Sequence, residues 1–82
     1  MNLDLEFRVD SIASFAIRQL LTQGVGVAIS KSGGISAGAA TAIARSGAYA
    51  VALAEGYSPE ELLVGITEVL KRWQDSQKGR VR

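Results

Sequence analysis

The chain opens on strict alternation, with Leu3, Leu5, Phe7 and Val9 set against Asp4, Glu6 and Arg8. A period of two predicts a β-strand with one buried face, although so short a run leaves a helix open. A strand needs a mate. The candidates are residues 25–30 (VGVAIS) and the same strand of a second copy.

The period then lengthens. Ser11, Ser14, Arg18 and Thr22 recur at helical spacing as a narrow polar stripe, while Ile12, Phe15, Ile17, Leu20 and Leu21 occupy the other faces. With Asp10 or Ser11 as N-cap and Gly24 just past the end, this predicts an amphipathic helix. The Gly-rich stretch 24–34 reads as loop or short strand.

Residues 35–55 (ISAGAATAIARSGAYAVALAE) predict a second helix, because Ala is the best helix former, with Gly38 and Gly47 as weak points. Ala40, Ala44, Ala48 and Ala52 recur every four residues and form a small-residue ridge that another helix could approach closely. Thr41, Arg45 and Tyr49 are its main polar relief. A helix this apolar is buried on several sides or meets a partner as well as the core.

The last helix has the clearest start. Ser58 suits the N-cap, Pro59 the first helical position and Glu61 the third, a capping box. Leu62, Ile66, Val69, Leu70 and Trp73 form its apolar stripe, and Lys71 and Arg72 lie toward the C-terminus, where cations complement the helix dipole. Beyond Gln74 the chain turns polar, which predicts fraying and a flexible basic tail over residues 75–82. The expected fold is therefore mainly α: one small three-helix domain over residues 1–82, with a short N-terminal β-strand paired within or between chains.

Length sharpens this picture. A domain of 82 residues buries a modest share of its surface and is marginal as a lone monomer. The chain has no Cys and no His, which removes disulfides, Cys/His metal sites and His-activated nucleophiles. Self-association is the supplement left, so a homo-oligomer is expected. An apolar fraction of 48% is too high for a disordered chain. The two least polar stretches, 12–29 and 35–54, carry Arg18 and Arg45, which argues against a membrane span. The start MNLDLEFRVD lacks the basic and apolar regions of a signal peptide, so the cytoplasm is the expected location.

Charge is arranged in blocks around a net +1. Residues 11–54 hold Arg18, Lys31 and Arg45 without an acid, and residues 55–70 hold Glu55, Glu60, Glu61 and Glu68 without a base. Residues 71–82 hold Lys71, Arg72, Lys78, Arg80 and Arg82 against Asp75 alone.

Candidate chemistry is sparse. The neighbouring carboxylates Glu60 and Glu61 are explained by helix capping. The run from Gly24 to Ser32 resembles a phosphate-binding loop only loosely, because Ser30 stands where a Gly should precede Lys31 and Val25 stands at the first Gly position. Ser32, Gly33, Gly34 and Ser36 precede a helix start, where an anion could bind. A helix-turn-helix with Gly47 in its turn would present Tyr49–Glu55 as recognition helix, without an Arg, Lys, Asn or Gln to read bases.

These features predict a non-enzymatic protein-interaction module with no catalytic residue, metal or cofactor: an inhibitor, adaptor or regulator of the kind that phages and plasmids encode. Its expected protein interface is Ala40, Ala44, Arg45, Ala48, Tyr49 and Ala52. The alternative is a nucleic-acid-binding regulator that uses Lys71, Arg72, Lys78, Arg80 and Arg82.

Overall fold

In the computed structural model, which describes residues 3–24 and 26–80 (the last three as backbone), Leu3–Thr22 is one helix, α1. The strand expected over residues 3–9 is in fact its first two turns. Alternation and helix coexist because positions four apart share a helix face. Leu5 and Val9 face the core, while Leu3 and Phe7, 72% and 63% exposed, face solvent. A helix satisfies its own backbone groups, whereas a strand requires a neighbour. Among the described residues, pairing of the β type is limited to one antiparallel bridge, Ile29 to Ile35. Asp10 and Ser11, expected as caps, lie inside α1 for the same reason. The helix closes where expected: Gly24 takes φ +73° and its amide donates to the Leu21 carbonyl at 3.2 Å.

The second expected helix is two helices, α2 (Ala37–Arg45) and α3 (Gly47–Ala54). Ser46 divides them with an extended backbone, φ −71° and ψ 124°. Its amide donates to Ile43 at 3.0 Å and closes α2, and its hydroxyl accepts the Tyr49 amide at 3.4 Å and opens α3. One serine therefore caps both helices, and it is buried, at 2% exposure. The fourth helix, α4 (Pro59–Arg80), starts as the capping signals predict, with the Glu61 amide donating to Ser58 Oγ at 3.1 Å.

The core is shared by all four helices. Ile12, Ala13, Ala16 and Leu20 of α1 meet Ala39, Ala42 and Ile43 of α2, Ala52 of α3, and Leu62, Ile66 and Leu70 of α4. Val69 and Trp73, also placed on the apolar stripe, are half-buried beside it.

The two long helices, α1 and α4, lie side by side and run the same way. Arg8 is bonded to Glu55, just ahead of α4; Val9 lies on Gly65; and Gln74, late in α4, reaches the loop beyond α1. There Gln74 Oε1 accepts the amides of Ala28 and Ile29 at 2.6 and 3.0 Å, while Nε2 donates to the Ile29 carbonyl at 3.2 Å. Gln74, the last residue before the expected fraying, is thus an anchor, and residues 75–80, expected to fray, continue α4. The anchored loop doubles back: the Ser30 amide donates to Gly34 at 2.7 Å and the Ser36 amide to Ala28 at 2.8 Å. Among the described residues no helix is long and apolar enough to cross a membrane.

Candidate functional site

Two depressions flank α4 on different sides. The first, about 260 Å³, is lined by Ile35, Ala40, Ile43, Ala44, Tyr49 and Leu63. Its wall is aliphatic apart from the Tyr49 ring and hydroxyl. Ile35 reaches it because the loop anchored by Gln74 returns through the Ile29–Ile35 bridge. Tyr49 reaches it because the break at Ser46 starts α3 in a new direction.

Three of the six expected interface residues, Ala40, Ala44 and Tyr49, meet at this hollow. The other three go elsewhere. Ala52 is fully buried in the core, Ala48 is half-buried against it, and Arg45 is exposed outside the hollow's wall. The ridge expected from four-residue spacing assumed one continuous helix, and the break at Ser46 divides it.

The second depression is larger, about 550 Å³, and lies along the α1–α4 seam. Leu5, Val9, Val64 and Val69 supply apolar surface, and Glu6, Asp10, Glu61 and Glu68 supply four carboxylates, with Arg72 the one cation in its wall. Gly65 makes the seam close. A Cβ built there would stand 2.9 Å from Val9 Cγ2, nearer than such atoms pack. Val64 stays 67% exposed beside it. Reading the sequence for interfaces missed this groove. Its signals were the four-residue spacing of Glu6 and Asp10, the seven-residue spacing of Glu61 and Glu68, and an isolated Gly inside a helical pattern. They converge only once residues 3–9 are read as helix.

Of the basic residues expected to meet nucleic acid, Lys71 and Arg72 are exposed on α4. Lys78 and Arg80 belong to the helical backbone at its end, and Arg82 lies outside the described residues. The expected anion site before α2 is occupied by the protein's own groups. Ser36 Oγ accepts the Ala39 amide at 3.1 Å and donates to the Val27 carbonyl at 2.8 Å, and the Gly33 amide donates to Ser30 at 2.9 Å. For the helix-turn-helix comparison, the break falls at Ser46 with Gly47 already in α3, and α3 carries no Arg, Lys, Asn or Gln.

One ion pair ties the start of α1 to the end of α3. Arg8 Nε and Nη2 donate to the two Glu55 carboxylate oxygens at 2.8 and 2.6 Å. This bidentate bond holds the Glu55 carboxyl below its ordinary range and the Arg8 guanidinium above its own. Among the described residues every buried side-chain nitrogen and oxygen has a hydrogen-bond partner. Comparison of the chain with protein-family models, with characterised proteins and with solved structures finds no match.

Proposed function

We propose that this chain is a non-enzymatic interaction module that acts by binding a partner protein through the hollow between α2, α3 and α4. The supporting observation is that hollow's chemistry: Ala40, Ala44 and Leu63 leave an open aliphatic surface above the buried Ile43, with Tyr49 at its side. Such a surface recognises an apolar side chain on a partner, and the Tyr49 ring adds the amphipathic contact favoured at interfaces. A charged or strongly polar ligand would gain nothing there. The nucleic-acid alternative draws less support, because Arg72 stands among carboxylates that repel phosphate.

Ala44 is exposed on α2, so Ala44→Arg leaves the fold intact while filling the hollow with a charge. Affinity capture from host cells, quantified by mass spectrometry, tests the reading. A protein retained by the parent chain and lost with Ala44→Arg is expected. Identical retention by both chains would refute this face.

A further inference from the structure

The face that α4 turns to the α1–α4 groove is self-complementary. It comprises Glu61, Val64, Gly65, Glu68, Val69 and Arg72. About the point midway between Ile66 and Thr67, these six positions form three symmetric pairs: Glu61 with Arg72, Val64 with Val69, and Gly65 with Glu68. We propose that a second copy of this chain occupies the groove, with the two α4 helices antiparallel across a two-fold axis at that point.

Two of these pairs then have a physical role. The carboxylate of Glu61 meets the guanidinium of the copy's Arg72, twice by symmetry. Val64, exposed in the single chain, meets the apolar side chain of the copy's Val69.

The charge blocks of the sequence fit the same arrangement. Within α4, Glu60 and Glu61 lie before the axis and Lys71 and Arg72 beyond it. An antiparallel pair sets each acidic half beside the other's basic half, whereas a parallel pair sets like against like. This arrangement is independent of the hollow between α2 and α3.

Sedimentation equilibrium on the full chain tests the proposal. The parent should dimerise in the micromolar range. Val64→Asp should raise the dissociation constant about a hundredfold, because two carboxylates enter the apolar contact. Arg72→Glu should weaken the dimer about tenfold, and the double variant Glu61→Arg with Arg72→Glu should recover it. Circular dichroism confirms that each variant is folded.

A cross-link tests the register separately. The chain has no Cys, so a Glu61→Cys chain mixed with an Arg72→Cys chain should form mainly the mixed disulfide under mild oxidation. A parent chain that stays monomeric, a dimer indifferent to Val64→Asp, or no excess of the mixed disulfide would overturn the proposal. Dissociation by Ala44→Arg with Val64→Asp inert would place self-association at the other face and likewise overturn it.

Discussion

The two depressions beside α4 are built from similar aliphatic side chains and differ in their rims. The hollow at Ala40, Ala44 and Tyr49 has no carboxylate in its wall, whereas the groove at Val64 and Val69 has four and an arginine. Apolar surface supplies attraction without much direction, while charge fixes register and rejects wrong partners. The hollow is thus suited to one apolar side chain in any of several orientations. The groove is suited to a long element in one orientation. They also depend on different supports, the hollow on the anchored loop that delivers Ile35 and the groove on the missing side chain of Gly65.

Substitutions can separate these supports. The largest effect is expected from Leu70→Asp, because Leu70 is fully buried in the core that both depressions share. An unpaired charge there costs several kcal/mol against a total stability of about 5–10 kcal/mol. The helical circular dichroism signal should be lost, and a native spectrum would show that α4 is not docked.

Gln74→Ala should come next, at about 2 kcal/mol, because it removes three hydrogen bonds and leaves the Ala28 and Ile29 amides without their acceptor. Hydrogen exchange should accelerate at those amides and around Ile35, while the α1–α4 seam stays protected. Equal acceleration in both regions would mean that the supports are not separate.

Gly65→Ala should do the converse. Crowding against Val9 costs about 1–3 kcal/mol, and the better helix propensity of Ala returns up to about 1 kcal/mol. A lower melting temperature with loosening confined to the seam is expected. Gly47→Ala is the control, since a Cβ there meets nothing within 4 Å, and it should not lower the melting temperature.

Glu55→Gln should have the smallest effect, because the Arg8–Glu55 pair is solvated and belongs to neither depression's wall. Its pH dependence has a definite sign. The folded carboxyl is held below its ordinary value by Arg8, so the pair stabilises above the ordinary carboxylate range and loses that effect as pH falls through the depressed value. Thermal melts of parent and variant should therefore converge as pH falls through that range. A gap that widens there would contradict the assigned direction.

Much of the helical framework was legible in the residues. Ser58, Pro59 and Glu61 announce the start of α4, Gly24 ends α1, and Leu62, Ile66 and Leu70 recur at the spacing that buries one face. The hollow was half legible, through Ala40, Ala44 and Tyr49, but Ile35 and Leu63 come from other elements and no spacing along α2 could point to them. The groove was not legible, because Leu5, Glu6 and Val9 of its α1 half lay within the segment read as a strand and Asp10 was read as a cap.

Local chemistry acts over a few residues, and that is the range over which the sequence by itself determined the outcome: caps, apolar stripes, helix class and blocks of charge. Tertiary structure decided the rest. Leu3–Val9 became helix because, among the described residues, no strand stands beside it and α4 receives Leu5 and Val9. Ser46 became a double cap because burial placed the helix break on its hydroxyl. Gln74 became an anchor because α4, running parallel to α1, passes the loop that follows α1. Each of these outcomes depends on groups distant in sequence, and a residue's neighbours along the chain do not reveal which distant groups folding will bring to it.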